Sequence, residues 1–238
     1  MRYTTVLFDL DHTLLDSDAS EAAAFDLTMR SVGIDPTAEV FAAYDRLNQA
    51  LWRRVEAGEL SANDVKVRRF EQLRHHLDAV GDPVEMGATF VGGLVDHGEL
   101  YDGAARLLAG LAATCRLALV TNGIGAVQRG RLARLGLEGV FEVVSISGEL
   151  GVSKPDRTIF DFTLDAMGIG DRRSVVMIGD NLASDIQGGI NAGVDTIWFD
   201  ADGAVVPDGT APTHRASAFD AVADIVTRQR AVGHGDAG

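Results

Sequence analysis

Val6-Leu7-Phe8-Asp9-Leu10-Asp11-His12-Thr13 is the stretch on which the reading of this 238-residue chain turns. A short apolar run ends in two carboxylates two residues apart. Alternation along a strand sends side chains i and i+2 to the same side, so Asp9 and Asp11 are expected to share one face. Like charges held that close repel and raise one pKa, unless a cation or a reaction uses them. A fold does not need this pair; phosphoryl-transfer chemistry does.

Outward from this run, short apolar stretches alternate with helical patterns. Strands are expected over Thr4–Leu10, Leu117–Thr121, Val143–Ile146, Val175–Ile178 and Thr196–Phe199. Helices are expected over Ala104–Ala113, Ala126–Leu135, Thr158–Met167, Ala183–Ala192 and Phe219–Arg228. This rhythm predicts an α/β fold, a Rossmann-like parallel sheet with helices on both faces. Ligands in such sheets sit at the carboxyl ends of the strands.

From about Ser20 to Asp96 the rhythm breaks. Phe41, Tyr44, Leu47, Leu51 and Val55 recur at helical spacing, Val65–Leu77 continues in kind, and Val80-Gly81-Asp82-Pro83 is a turn. The expectation is an all-helical insertion after the first strand, too long to be a loop. The domains are then a core of residues 1–16 and 98–238 and a helical unit of residues 17–97. Ala201–Arg215 reads as a surface connection, and the tail Ala231–Gly238 as frayed.

Acidic residues outnumber basic ones, 35 to 21, for a net charge of −14. That argues against a nucleic-acid polymer or an anionic membrane as partner. A small phosphorylated metabolite remains compatible, because one local cation reverses the field inside a pocket. Lys66 and Lys154 are the only lysines in a chain whose other basic residues are arginine. A lysine here is a point charge where a wide fork is the habit. Cys115 is the single cysteine, so no internal disulfide and no cysteine-based metal cluster is expected. The apolar start is interrupted by Asp9, unlike a signal peptide. Arg106 and Arg116 break the best membrane-span candidate. The expected setting is a reducing cytoplasm, and the expected state a monomer or homodimer.

Four pieces each end a strand or open a loop: Asp9-Leu10-Asp11-His12-Thr13, Thr121-Asn122-Gly123, Ser153-Lys154-Pro155 and Asp180-Asn181 followed by Ser184-Asp185. Singly, each also fits a turn former, a helix N-cap or a solvated surface residue. Their conjunction at four exits of one sheet is what points to a site. If the exits share one crevice, it holds a nucleophilic carboxylate, further acids, a hydroxyl with free backbone N–H groups and one ammonium. So many acids around one lysine require another cation. An all-oxygen donor set of this kind suits Mg²⁺.

In order and type, the four pieces resemble the motifs of the haloacid dehalogenase superfamily, and the helical insertion resembles that superfamily's cap. The resemblance implies that Asp9 is the nucleophile that accepts the phosphoryl group. It implies that Asp11 is general acid and then general base, and that Thr121, Asn122 and Gly123 hold phosphate oxygens. Lys154 would neutralise Asp9 and the phosphoryl charge. Mg²⁺ would be held by Asp9, the backbone carbonyl of Asp11 and Asp180, with Asp185 orienting the ion's water or Lys154. Asp11 favours phosphate ester hydrolysis, since the superfamily's dehalogenases generally lack this second acid. Phosphoglycolate or sugar-phosphate hydrolysis, a phosphomutase, and a non-enzymatic phospho-accepting domain are the competing readings.

Asn48-Gln49-Ala50-Leu51-Trp52, Arg69-Phe70-Glu71, Gln128, Arg131 and Leu132, and Gly188–Gly193 are similar to bacterial pyrimidine nucleotidases of the superfamily. That similarity implies a nucleoside monophosphate substrate. Asn48 and Trp52, four apart, share a helix face, so Trp52 could stack on a base while Asn48 hydrogen-bonds to it. Equally, Trp52 could be core packing and Asn48 a surface polar group. Arg69 could reach substrate or be one more surface arginine.

Overall fold

The computed structural model describes residues 2–201, 203 and 211–228. Its centre is a six-stranded parallel sheet: β1 (Thr5–Phe8), β2 (Arg116–Thr121), β3 (Val143–Ile146), β4 (Val175–Gly179), β5 (Asp195–Phe199) and β6 (His214–Ala216). The strand order is β3-β2-β1-β4-β5-β6, so β1 lies between β2 and β4. The chain winds one way from β1 to β3 and the other way from β4 onward. Its crevice therefore opens at the carboxyl ends of the central strands, where the winding reverses.

Two-sided burial explains why these strands are apolar almost throughout. Val6, Phe8, Leu117, Leu119, Val176 and Ile178 pack on one face with α5 (Ala104–Ala112) and α10 (Phe219–Thr227). Leu7, Ala118, Val120, Val175 and Met177 pack on the other with α8 (Arg157–Ala166) and α9 (Gln187–Ala192). α6 (Gly125–Arg134) follows β2, and a single turn, α7 (Ser147–Leu150), follows β3.

Between β1 and α5 lie α1 (Ser17–Ser31), α2 (Ala38–Glu56), α3 (Ala62–Leu77) and α4 (Pro83–Asp96). Their starts are written locally. Asp16, Thr37, Ser61 and Asp82 cap them through side-chain oxygens, with Pro83 in the first turn of α4. Phe25, Tyr44, Phe70 and Phe90 form their shared core, which also takes in Ile124 and Val127 from the edge of α6. The chain leaves and re-enters the sheet side by side: Asp16 N–H donates to Glu99 O and Tyr101 N–H to Leu14 O, each at 2.9 Å.

Three local expectations change. β1 ends at Phe8 rather than Leu10; the next residues turn, with Leu14 and Leu15 N–H both donating to Leu10 O and His12 at φ 59°. Asp9 and Asp11 are thus brought together by a tight loop and not by strand alternation. The helix expected from Ala183 opens instead with a wide π-type turn, Leu182–Ile186, before α9. β6 falls inside the expected connection Ala201–Arg215; it is a three-residue edge strand with no apolar run to announce it. Most of that connection, and the tail Ala231–Gly238, lie outside the described residues.

α1 and α4 meet most closely at Gly93, where a Cβ would stand 2.7 Å from Ala24 Cα; at neighbouring Gly92 it would meet nothing within 4 Å. Overpacking against backbone costs about 1–3 kcal/mol, more than the up to ~1 kcal/mol gained from alanine's helix propensity. Gly93→Ala is therefore expected to lower Tm by roughly 2–8 °C and Gly92→Ala to raise it by roughly 2–4 °C. Thermal unfolding of the pair checks both signs.

Candidate active site

Asp9 follows the last residue of β1 and keeps the sheet's pairing, its N–H donating to Ile178 O at 2.9 Å. This fixes its carboxylate at the mouth of the crevice, 7 % exposed. Lys154 reaches it from the loop after α7. Its Nζ donates to Asp9 Oδ1 and to Asp185 Oδ1, both at 2.6 Å, and the side chain is buried. Asn122 holds that loop in place, taking Lys154 N–H on Oδ1 at 2.8 Å and donating from Nδ2 to Lys154 O at 2.9 Å.

The wide turn after β4 supplies the next carboxylates. Asn181 Oδ1 accepts from Ala183 and Ser184 N–H, and Asn181 O accepts from both Asp185 and Ile186 N–H. The i→i+5 bond opens the turn and directs Asp185 inward, where Oδ2 accepts from Asn181 N–H at 3.0 Å. Such turns concentrate at functional sites. Glycine at 179 is required by this arrangement, because a Cβ there would lie 2.2 Å from Asp185 Oδ2. Asp180 is held by Thr13, whose hydroxyl donates to Oδ1 and accepts from Asp180 N–H, each at 3.0 Å.

Asp9, Asp180 and Asp185 offer oxygens that all lie within 4.8 Å of one another. Burial, reduced by Lys154 and reinforced by Asp185, pushes Asp9 up to about 7. Burial and Asp9 push Asp180 to about 6, and burial with Asp180 carries Asp185 to about 6 against the pull of Lys154. Lys154 rises too: burial alone would lower it, but Asp185 and Asp9 outweigh that. One ammonium does not balance three buried carboxylates. The all-oxygen donors, their spacing and the uncompensated charge fit a small hard divalent cation.

Asp11 stands apart from this cluster. Its carboxylate accepts from Arg131 Nη1 at 2.6 Å, Ser17 Oγ at 2.6 Å and Gln128 Nε2 at 2.5 Å. Burial pushes its pKa up, but Arg131, Ser17 and Gln128 prevail and hold it below the usual carboxylate range. Arg131 is itself buried and donates from Nε to Leu94 O in α4 and from Nη2 to Ser20 Oγ in α1. Sequence reasoning gave Ser17 no place and Gln128 and Arg131 no role. One more arginine among many carried no signal of burial, although Gln128 and Arg131 do sit three apart on one face of α6.

A cavity of about 420 Å³ lies over the cluster, lined below by Asp9, Asp11, Asn122, Gly123, Lys154 and Asp180 and above by residues of α1–α3. Thr121 does not line it; the side chain is fully buried and its hydroxyl accepts from Gln128 Nε2 at 3.0 Å. Gly123 N–H donates to Ser147 Oγ at 3.0 Å. Asn48, Trp52 and Arg69 all line the upper wall. Asn48 is 6 % exposed and Arg69 2 %, so neither is a surface group. Trp52 is half-buried and also packs against the Leu51, Val55 and Val65 cluster. Glu21 and Tyr44 join them: Glu21 Oε1 accepts from Tyr44 Oη at 2.7 Å and from Asn48 Nδ2 at 2.8 Å. Neither was visible as a site residue in the sequence, Tyr44 because its spacing marks it only as core.

A doubly wound parallel sheet with this acidic cluster at its carboxyl edge defines an α/β enzyme core. A family model described as haloacid dehalogenase-like hydrolase matches residues 3–193, and the chain belongs to that family. It is 33 % identical over 219 residues to the pyrimidine 5'-nucleotidase YjjG of Escherichia coli, covering 92 % of this chain and 96 % of that protein. It is 37 % identical over 200 residues to the pyrimidine 5'-nucleotidase PynA of Streptococcus pneumoniae, covering 84 % of each. The crystal structure of the HAD-hydrolase YfnB of Bacillus subtilis, bound to magnesium, superposes with a TM-score of 0.87 at 31 % identity, over 96 % of this chain and 100 % of that one. Among the described residues, no helix is long and apolar enough to cross a membrane.

Removing one partner of a buried ion pair costs about 3–5 kcal/mol, because the other charge is left uncompensated. Lys154→Met is expected to lower Tm by roughly 6–20 °C in metal-free buffer. An unchanged midpoint by calorimetry would mean that Lys154 is not the cluster's counter-charge.

Proposed function

We propose that the protein is a Mg²⁺-dependent phosphomonoesterase working through an aspartyl-phosphate, with pyrimidine nucleoside 5'-monophosphates as substrates. The observation that carries the reading is the 2.6 Å contact of buried Lys154 with both Asp9 and Asp185, beside Asp180 at the floor of an open cavity. The two nucleotidases named above support the substrate class.

In this reading an Asp9 carboxylate oxygen attacks phosphorus and the ester P–O bond breaks. Asp11 gives its proton to the leaving oxygen. Water then attacks the phospho-aspartate, Asp11 takes a proton back, and phosphate leaves. Splitting one hard displacement into two eases each, and proton demand reverses between them, so one residue serves both. The Arg131 ion pair favours ionised Asp11, the form the second step needs, and must loosen for the first. Lys154 neutralises Asp9 and the incoming phosphoryl oxygens. Asn122 positions Lys154, while Thr121 and Gly123 shape the phosphate end.

Asp9 and Asp180, with the backbone carbonyl of Asp11, would hold Mg²⁺, and Asp185 would keep Lys154 in place. The ion would supply charge stabilisation at the phosphoryl group. The four helices of residues 17–97 would serve as a cap that excludes bulk water and carries substrate recognition through Asn48, Trp52 and Arg69.

Asp9→Asn is expected to reduce phosphate release from UMP and dUMP to background, with Tm within a few degrees of the parent. Continued turnover by that variant would remove Asp9 as nucleophile. Chelation by EDTA is expected to abolish activity and Mg²⁺ to restore it. Sugar phosphates outranking UMP, dUMP and dTMP tenfold in kcat/KM would overturn the substrate assignment.

A further inference from the structure

The upper wall of the cavity contains a hydrogen-bond chain with only one consistent direction. Arg69 has no acceptor, so its Nη1 donates to Tyr44 Oη at 3.1 Å. The Tyr44 hydroxyl spends its single hydrogen on Glu21 Oε1 at 2.7 Å. The same oxygen receives Asn48 Nδ2 at 2.8 Å. Two donors converging on one carboxylate oxygen settle which way the Asn48 amide faces: its nitrogen is toward Glu21 and its oxygen is away.

That oxygen is left over. Asn48 Oδ1 is buried and has no hydrogen-bond partner among the described residues. Buried acceptors are nearly always paired, and an unpaired one costs free energy. The residue lines the cavity above Asp9, with Trp52 one helical turn further along α2 and the Arg69 guanidinium on the same wall. The wall thus combines one unused acceptor, a cation that supplies N–H groups and an aromatic face.

We propose, resting on the nucleotidase reading, that Asn48 Oδ1 accepts a hydrogen bond from the ring N–H of the substrate's base, and that the cavity selects pyrimidines of the imide type. Uracil and thymine carry N3–H between two carbonyl oxygens. The amide oxygen takes the N–H, Arg69 faces a carbonyl oxygen, and Trp52 offers a stacking surface. Glu21 and Tyr44 are positioning residues: they orient the amide and do not touch the base. A site built around a specific hydrogen bond rejects an analogue that lacks it, because its own polar group is then left unpaired.

The test compares UMP with N3-methyl-UMP, which keeps the phosphate, the sugar and the ring but has no N3–H. The parent enzyme is expected to show at least about a tenfold lower kcat/KM on the methylated substrate. Asn48→Ala removes the acceptor and makes room for the methyl group, so the ratio of the two substrates is expected to fall to within about threefold of unity. Glu21→Gln can donate to Asn48 Oδ1 and so occupy it; its discrimination is expected to shrink likewise, through KM more than kcat. Equal use of both substrates by the parent enzyme overturns the proposal and leaves the nucleotidase reading standing. Undiminished discrimination by Asn48→Ala overturns it as well. Hydrolysis of p-nitrophenyl phosphate without any hydrolysis of UMP overturns both readings.

Discussion

A single ammonium group, enclosed where the central strands end, governs this structure. Lys154 lies within 2.6 Å of two carboxylates, and a third stands beside them. Desolvating such charges costs several kcal/mol each, so their proximity is tolerated only where geometry and counter-charge repay it. The surroundings are built to that end. Asn122 holds the backbone of Lys154 from both sides, a wide turn directs Asp185 inward, and Thr13 holds Asp180. The cluster still carries more negative charge than it balances, and that surplus is what suits it to a divalent cation and a phosphoryl group.

Asp9 and Asp11, adjacent in sequence, live in opposite electrostatic worlds. Asp9 shares its lysine with other acids and sits high, at about 7. Asp11 has an arginine, a serine and an amide to itself and sits low. Two carboxylates two residues apart are thereby given separate roles by their surroundings alone. Arg131, which sets Asp11, also binds α1 and α4, so the carboxylate and the helical insertion share one guanidinium.

The sheet was legible because strands buried on both faces leave continuous apolar runs such as Leu117–Val120 and Val175–Ile178. The rarity of lysine drew notice to Lys154, and polar residues at successive strand exits drew notice to Asp9, Asp180 and Asp185. What escaped was tertiary in origin. No local propensity distinguishes the i→i+5 turn at Leu182–Ile186 from an ordinary helix start. β6 has a three-residue span and no apolar pattern. Arg69 and Arg131 look like any solvated arginine until distant helices bury them, and Tyr44 announces a core position without revealing that its hydroxyl faces a carboxylate. Asn48 could be placed on a helix face with Trp52, but the missing partner of its oxygen exists only once α1 supplies Glu21.

The register of the central strand has a consequence for how the molecule comes into being. Thr5 pairs with Arg116 on one side and with Val175 on the other, so β1 emerges long before either neighbour exists. The helices that follow it collect around their own aromatic cluster, largely among residues near in the chain. Closing such long loops is entropically slow, whereas local helical contacts form fast. A nascent chain thus completes its recognition half while the reactive half is still open strand, and the carboxylates meet their lysine only when the sheet finally zips shut.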